Sequence, residues 1–407
     1  MTEGPYKLPE GWRWVRLGEV CTINPKRSRI QREAGTPTTF VPMSAVDDET
    51  GTIVAAEKRP FERVRKGYTY FEENDVLFAK ITPCMENGKA AIARGLLDRI
   101  GFGSTEFHVL RPNESAVPEW IWLFVRREKF REDAKKSFRG GVGQQRVPQE
   151  FLERYLIPLP PLSEQRRIVA RIEELMGRVR EARRLRQEAQ KDAERLWQSV
   201  LAETFPHPGS ELPKGWRWVR LGEVARREAT LLKPSDYPSR PFRYLGMEHV
   251  APGQWEEPEG LEIDGSEIKS QVVVFHPGLV LYGKLRPYLN KVVVPHTEGV
   301  ASTEFVPIAP LLEVLDPEYL GAFLRTPFFV EYASANTTGS RQPRTRLDVL
   351  WNTPIPLPPL EEQRRIVAEL QAVQEKIKAL KEAQAATEAE LKRLEQAILD
   401  KAFRGEL

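Results

Sequence analysis

Cysteine and histidine are scarce in this chain of 407 residues. It contains two cysteines, Cys21 and Cys84, and five histidines that lack the spacing of metal ligands. Two cysteines cannot build a disulfide framework or a thiolate-rich metal site, so they fit a reducing compartment. We therefore expect a cytoplasmic protein without a metal site of its own.

Long apolar runs are also missing. No stretch approaches the roughly 20 apolar residues that cross a bilayer, and residues 1–12 lack the features of a secretory signal. We predict no membrane association. The net charge of +3 permits an anionic partner but does not indicate one, because basic residues must cluster to bind it.

Motifs for catalysis or cofactor binding are not found. Gly283-Lys284 is followed by leucine and is not a Walker A loop, and residues 140–143 lack the strand–helix context of a dinucleotide loop. Asn24-Pro25-Lys26-Arg27 lacks the aromatic residue with which an adenine methyltransferase stacks its flipped base. The acidic string at 264–269 is too compact for a nuclease site. We predict that this chain has no catalytic residues and binds no cofactor.

What the chain does contain is an internal repeat. LPEGWRWVRLGEV at 8–20 returns as LPKGWRWVRLGEV at 212–224, an offset of 204. IPLPPLSEQRRIVARIEEL at 157–175 returns as IPLPPLEEQRRIVAELQAV at 355–373, an offset of 198. The segments between these blocks have diverged. A duplicated framework with divergent contents indicates two different binding units on one scaffold.

The repeat predicts an α+β protein of four segments: a first body at 1–160, a helix at 161–206, a second body at 207–358 and a helix at 359–407. Each body should begin with a strand in the WRWVRL block and contain short strands such as Thr52–Val54 and Gln271–Phe275. One helix should follow Pro118 and one should follow Pro317. The proline-rich IPLPPL block should end each body, since a helix or central strand does not tolerate it.

The two helical segments carry apolar residues at steps of three and four, which predicts a coiled coil. The predicted core positions are Ile168, Ile172, Leu175, Val179, Ala182, Ala189, Ala193, Leu196 and Val200, and then Ile366, Leu370, Val373, Ile377, Leu380, Leu391, Leu394 and Ile398. Arg186 and Gln384 interrupt the two series at matching places. Antiparallel pairing would put the bodies at opposite ends of a rod of roughly 60 Å. The alternative is that each helix packs only on its own body.

Polar and basic residues recur at matching places in the two bodies. Amide and guanidinium groups are the donors suited to base edges and phosphates. The candidate DNA-binding residues are Lys80, Thr82, Asn87, Lys89, Arg139, Gln144, Gln145, Arg146, Lys284, Arg286, Asn290, Lys291, Arg341, Gln342, Arg344 and Arg346. The best candidates for base-edge contacts are Gln144, Arg146, Gln342 and Arg344, although ordinary solvated loops would look similar. The repeated Ser-Thr-Glu-Phe at 104–107 and 302–305 is interpreted as a fold feature.

With two divergent bodies, each followed by IPLPPLxEQRRIV and a long helix, and with the closing ILDKAFRGEL, the chain resembles the specificity subunit of type I restriction–modification enzymes. The resemblance covers essentially the whole chain. It implies that each body is a target recognition domain for one half of a split sequence in double-stranded DNA. It also implies that the helices set the spacer and bind two methyltransferase subunits, with motor-nuclease subunits as further partners. S-adenosylmethionine, ATP and Mg²⁺ would then belong to those partners. The alternative is a non-DNA adaptor whose coiled coil joins two ligand-binding modules.

Overall fold

A computed structural model describes residues 4–27, 30–141 and 144–407. The chain forms two compact units. Unit 1 comprises Met1–Arg184 and Ala386–Leu407, and unit 2 comprises Leu185–Ala385. Both units contain sheets, short helices and parts of two long helices, so the predicted α+β class is confirmed. The four-segment division of the chain stays a prediction.

A two-stranded antiparallel ribbon occurs at the edge of each body. In unit 1, β1 (Arg13–Arg16) pairs with β10 (Leu156–Leu159), and in unit 2, β11 (Arg217–Arg220) pairs with β23 (Pro354–Leu357). The predicted opening strand is therefore confirmed, and its partner is the proline-rich block. Proline fits there because both strands of a ribbon are edges, and an edge leaves main-chain N–H positions unpaired.

The body of unit 1 contains two four-stranded sheets, in the orders β2-β9-β6-β7 and β4-β3-β8-β5. Their strands are β2 (Cys21–Ile23), β3 (Pro37–Val41), β4 (Glu57–Pro60), β5 (Thr69–Glu72), β6 (Val76–Ala79), β7 (Ala90–Ile92), β8 (Ile100–Gly103) and β9 (Phe107–Pro112). The prediction of a strand at Thr52–Val54 was wrong. Ile53 makes only an isolated bridge to Val46, and the Val54 side chain is exposed to solvent.

The body of unit 2 contains a four-stranded sheet in the order β12-β20-β17-β18, a five-stranded sheet in the order β13-β16-β19-β14-β15, and the ribbon β21-β22. The strands are β12 (Ala225–Arg227), β13 (Leu231–Leu232), β14 (Pro241–Leu245), β15 (Leu261–Asp264), β16 (Val272–Phe275), β17 (Val280–Gly283), β18 (Val292–Val293), β19 (Gly299–Ser302), β20 (Phe305–Pro310), β21 (Thr337–Thr338) and β22 (Arg344–Thr345). The strand predicted at Gln271–Phe275 is confirmed as β16.

The short helices follow the same order in both units, except that α2 has no counterpart among the described residues of unit 2. They are α1 (Leu17–Val20), α2 (Phe61–Val64), α3 (Pro118–Val125), α4 (Glu128–Lys136) and α5 (Gln149–Arg154), and then α7 (Leu221–Val224), α8 (Pro317–Phe323), α9 (Pro327–Ala335) and α10 (Leu347–Trp351). The prediction of one helix after each proline was incomplete, because two helices are present at both places. Arg127 has extended backbone between α3 and α4, and Pro327 begins α9.

The two long helices, α6 (Leu162–Thr204) and α11 (Leu360–Arg404), run antiparallel where they pair. In unit 1, Arg167 Nη2 donates to the main-chain oxygen of Leu407, and Arg183 forms an ion pair with Glu395 at 2.7 Å. In unit 2, Arg186 Nη2 donates to the main-chain oxygen of Gln384 at 2.6 Å. Partner numbers fall along α11 as they rise along α6, so the predicted antiparallel pairing is confirmed. The two polar residues that interrupt the apolar series are in contact.

The predicted core positions of these helices hold only in part. Ile168, Ile172, Val179, Ala193, Ile366, Leu370, Ile377 and Ile398 are buried. Leu196, Leu380 and Leu394 are exposed, whereas Trp197 and Leu399 are buried. An α-helix drifts by about 20° per heptad against a strict repeat of seven. The buried stripe therefore moves away from the heptad positions, and Trp197 and Leu399 pack in the cores of units 2 and 1.

A buried glutamine joins each long helix to its body. Gln165 Oε1 accepts from the main-chain N–H of Val117, and its Nε2 donates to the oxygens of Ser115 and Pro160. Gln363 makes the same three bonds with Asp316, Val314 and Pro358. The glutamine of the repeated Glu-Gln-Arg-Arg block therefore has a structural role in both halves, because its amide satisfies main-chain groups that are otherwise shielded from water.

Candidate nucleic-acid interface

Three chain segments meet at the end of β6 in unit 1. The main-chain N–H of Lys80 donates to the oxygen of Glu106 at 2.9 Å, and that of Val147 donates to the oxygen of Lys80 at 2.9 Å. One step further along, the N–H of Thr82 donates to the oxygen of Gln145 at 3.0 Å. These bonds bring the lysine after β6, the Ser-Thr-Glu-Phe turn and the loop after α4 into one framework.

Unit 2 contains the same framework at the end of β17. The N–H of Lys284 donates to the oxygen of Glu304 at 3.0 Å, and that of Thr345 donates to the oxygen of Lys284 at 2.9 Å. The N–H of Arg286 donates to the oxygen of Pro343 at 2.7 Å. Each bond is the counterpart of one in unit 1, at the offsets of 204 and 198 found in the sequence. We call this arrangement the recognition loop framework.

An arginine–glutamate pair lies within each framework. Arg146 Nε and Nη2 donate to the two carboxylate oxygens of Glu106, both at 2.8 Å. Arg344 donates to Glu304 in the same two-pronged way, at 3.0 Å from Nε to Oε2 and 2.7 Å from Nη2 to Oε1. These bonds hold the pKa of both glutamates below the usual value.

The two glutamates were missed as site residues, because the Ser-Thr-Glu-Phe repeat was interpreted as a fold feature only. That interpretation is right for the serines, since Ser104 Oγ and Ser302 Oγ accept from the N–H of the glutamate two residues later. The glutamates themselves lie beside two predicted site residues. The available signal was that they recur at the same offset of 198 as the arginines.

The lysines after β6 and β17 lie at the inner edge of the framework. Lys284 Nζ donates to the oxygen of Thr303 at 2.9 Å and lies 3.9 Å from Glu304 Oε2. Lys80 is half-buried, and burial lowers the pKa of its ammonium group. A second lysine in each unit bonds a neighbouring loop: Lys89 Nζ donates to the oxygen of Val46 at 2.8 Å, and Lys291 Nζ to that of Met247 at 2.7 Å. Because an ammonium group carries three N–H donors, either lysine can keep that bond and still donate to a phosphate.

The remaining candidates of unit 1 differ in exposure. Asn87, Arg139 and Gln144 are exposed, and Arg139 lies 3.8 Å from Glu150. Gln145 is half-buried, and the hydroxyl oxygen of Thr82 is buried without a hydrogen-bond partner among the described residues. Residues 142 and 143, within the predicted Gly-x-x-Gln-x-Arg motif, lie outside the described part of the chain.

In unit 2, three arginines near the framework are exposed: Arg286, Arg341 and Arg346. Arg346 pairs with Asp348 at 2.6 Å. Arg286 and Arg341 have no ion pair with any described residue. Arg286 and Asn290 both have left-handed backbone, and Asn290 Nδ2 donates to the oxygen of Arg325 at 3.1 Å. Gln342 is exposed and accepts from Arg344 through its main-chain and side-chain oxygens, both at 3.3 Å.

Neither unit offers a ligand set for a metal. Among the described residues, no group of three or more His, Cys, Asp or Glu side chains could hold an ion. In the same part of the chain, no helix has both the length and the apolar character needed to cross a bilayer.

Comparison with known proteins identifies the family to which this architecture belongs. The model of the type I restriction modification DNA specificity domain matches residues 9–189 and 282–389, which is more than half of the chain. The chain belongs to this family. The resemblance drawn from the repeated IPLPPL block is thereby confirmed. Specificity subunits are generally the non-catalytic part of type I restriction–modification systems.

Solved structures of type I proteins share the architecture over the whole length. A chain from a structural study of complex assembly and conformational transition in the type I R-M system is 39% identical, with a TM-score of 0.80, and the match covers 99% of this chain and 100% of that one. The HsdS subunit from Thermoanaerobacter tengcongensis is 40% identical, with a TM-score of 0.64, and both chains are covered completely. Together with the helices observed here, these matches confirm the predicted specificity-subunit fold.

Curated relatives match over shorter regions. The EcoEI specificity subunit of Escherichia coli is 41% identical over 175 residues, which is 43% of this chain and 29% of the relative. The EcoAI specificity subunit, also of Escherichia coli, is 39% identical over 176 residues, or 43% and 30%. The matched part thus spans less than a third of the length of these relatives. The MjaVIII specificity subunit of Methanocaldococcus jannaschii matches 90% of this chain and 87% of its own length at 24% identity.

Proposed function

We propose that this chain is the DNA specificity subunit of a type I restriction–modification complex, and that each unit selects one half of a bipartite target in double-stranded DNA. The observation that supports this most directly is the recognition loop framework. It occurs once in each unit with the same main-chain bonds, the same lysine and the same arginine–glutamate pair. The side chains around it differ, as expected of two sites that select different sequences.

The chemistry of the framework fits a nucleic-acid partner. Arginine, lysine, glutamine and asparagine donate to phosphates and base edges, and unpaired guanidinium groups such as those of Arg286 and Arg341 remain available for such contacts. The modest net charge of +3 is compatible with this. Many basic side chains on the helices form ion pairs with neighbouring acidic residues, as Arg365 does with Glu362 at 2.6 Å. These pairs lower the net charge without involving the basic groups of the framework. The comparison with specificity subunits favours a DNA-binding protein over the adaptor alternative.

The proposal extends to the rest of the complex. We infer that the long helices set the spacer between the half-sites and bind two methyltransferase subunits, and that motor-nuclease subunits join the assembly. S-adenosylmethionine, ATP and Mg²⁺ would be bound by those partners, in the cytoplasm. The purified chain alone should then transfer no labelled methyl group to DNA and should cut no DNA. Either activity in a preparation free of partner subunits would contradict this division of roles.

The experiment that tests the proposal is selection of duplexes by the full chain from a random library, followed by affinity measurements at two salt concentrations. We expect a target made of two short conserved blocks separated by unconserved base pairs. We also expect log K to fall with log salt, with a slope of about −0.9 for each phosphate contacted. A chain that enriches no sequence and binds duplexes without salt dependence is not a DNA reader, and the adaptor alternative would then be preferred.

A further inference from the structure

The recognition loop frameworks share some side chains and differ in others. Lysine, glutamate, glutamine and arginine are the same in both units, at Lys80, Glu106, Gln144 and Arg146, and at Lys284, Glu304, Gln342 and Arg344. Positions bonded to the same framework differ: Thr82 corresponds to Arg286, and Gln145 corresponds to Pro343. Identical side chains held by identical bonds cannot by themselves select different half-sites. The differing positions must supply the discrimination.

The shared arginines are also poorly placed to contact bases. A bidentate contact to guanine needs two parallel N–H groups from one guanidinium edge. In Arg344, Nε and Nη2 both donate to Glu304, and Nη1 donates to the oxygen of Gln342. Arg146 is engaged in the same way by Glu106 and Gln144. A base would have to displace either this carboxylate, which repels the O6 and N7 acceptors of guanine, or the glutamine oxygen bound on the other side of the guanidinium.

Arg286 is placed quite differently. Its side chain is exposed and has no ion pair with any described residue, so both guanidinium edges are available. Its backbone is nevertheless fixed. The main-chain N–H donates to the oxygen of Pro343 at 2.7 Å, and the turn that begins at Arg286 is closed at Asn290, which bonds the oxygen of Arg325. A fixed backbone and a planar guanidinium reduce the entropy that is lost for each hydrogen bond of a directional contact.

Resting on the proposed function, we propose that Arg286 is a specificity-determining residue of the unit 2 half-site, where its guanidinium contacts the O6 and N7 atoms of one guanine. The Glu304–Arg344 pair, like Glu106–Arg146, is a positioning pair. It orients the loop and limits the positive charge presented to the phosphates, and it does not choose the base. Base selection is therefore assigned to Arg286, which differs from its counterpart Thr82, and not to Arg344, which is the same residue type in both units.

The test uses the full chain and selection from a random duplex library, with four variants. Arg286→Lys keeps the charge but loses the fork. It should lower the preference for one G·C pair in one half-site by about 5- to 150-fold, which corresponds to about 1–3 kcal/mol for a bidentate contact. The other half-site should be unchanged in the same molecules, and its retained preference shows that the variant is folded. Arg286→Gln should lose the same preference.

The positioning pair is tested by Glu304→Gln and Arg344→Lys. Glu304→Gln removes a negative charge and releases a guanidinium, so binding to all duplexes should tighten and the salt slope should steepen by about 0.9. A merely structural glutamate would not change that slope. Arg344→Lys should alter affinity for all sequences to the same extent and leave each preferred base unchanged.

Several results overturn the inference. It fails if Arg286→Gln keeps the same preference for that base, if Arg344→Lys changes the preferred base, or if the slope for Glu304→Gln stays the same. These failures are distinct from failure of the proposed function, which would appear as a lack of any sequence preference in the unchanged chain.

Discussion

Individual arginines of this chain have different roles, and the burial of the side chain distinguishes these roles. Arg325 is fully buried, and its guanidinium donates to the main-chain oxygens of Val292, Gln254 and Trp255 at 2.8, 3.2 and 3.3 Å. Burial lowers its pKa to about 10, so it stays charged at neutral pH and holds three strand and loop carbonyls together. Arg286 is exposed and makes no such bonds. A count of basic residues therefore overstates the charge available to DNA.

We expect His108 to make the unit 1 framework sensitive to pH. Its Nε2 lies 2.8 Å from the main-chain oxygen of Val147, and Asn24 Nδ2 lies 2.9 Å from its Nδ1. This geometry assigns a neutral ring that donates from Nε2. Burial lowers the pKa of His108, so the folded chain binds fewer protons than the unfolded chain at mildly acidic pH. The corresponding residue of unit 2 is Val306, which cannot titrate.

The predicted consequence concerns the free energy of unfolding. The contribution of neutral His108 should be fully present above the unfolded pKa of about 6.5 and should be lost as the pH falls below it. In urea titrations of the full chain, the unchanged protein should lose stability between neutral and mildly acidic pH faster than His108→Gln, whose amide can replace both bonds. If the free energy of unfolding depends on pH in the same way in both proteins, protonation of His108 does not oppose folding.

At the scale of elements, the ends of the long helices are parts of the two cores. Phe403, near the end of α11, is fully buried against Trp120 and Phe124, with ring centroids 4.3 and 5.2 Å apart. Phe205, directly after α6, packs on Tyr319 and Phe323 at 5.2 and 5.8 Å. Each unit thus uses the end of a long helix to cover a short helix of its body, α3 in unit 1 and α8 in unit 2.

Truncating these rings should destabilise one unit at a time. Phe403→Ala should cost about 3–5 kcal/mol, the usual penalty for removing a buried ring. Hydrogen exchange measured by mass spectrometry should accelerate in α3 for Phe403→Ala and in α8 for Phe205→Ala. Leu394→Ala is the matched control, because this side chain is exposed and its loss should change neither helix. Equal acceleration in both helices for each phenylalanine variant would contradict this assignment.

The internal repeat made much of the fold and of the candidate site predictable. The features that it did not predict have physical causes. The offsets of 204 and 198 identified the segments that meet in the framework, because a duplicated fold preserves main-chain pairings. The partner of Arg146 was not predictable, since Glu106 is 40 residues away and is brought near only by the pairing of β6 with β9. The break at Arg127 carries no proline or glycine. The exposure of Leu196 was not predictable from the heptad pattern, because successive turns of an α-helix rotate slightly relative to a strict repeat of seven residues.

At the scale of the molecule, we expect helix length to set the number of base pairs between the half-sites. Seven residues inserted after Ala189 would lie opposite seven residues inserted after Leu380. In the antiparallel pair Arg186 contacts Gln384, and the insertion points lie three residues after Arg186 and four residues before Gln384. The insertion adds about 10 Å of helix. At about 3.4 Å per base pair, the selected target should gain roughly three base pairs of spacer. Insertion into α6 alone should destabilise the helix pair, and an unchanged spacer in a stable double insertion would show that the helices do not set it.

The central claim is that each unit selects its own half-site, and exchange of one body tests it most directly. Residues 225–354 are replaced by residues 21–156, and duplexes are selected from a random library with the full-length product. We expect a symmetric target made of two inverted copies of the unit 1 half-site. If the exchanged chain selected the original asymmetric target, sequence recognition would lie outside the two bodies.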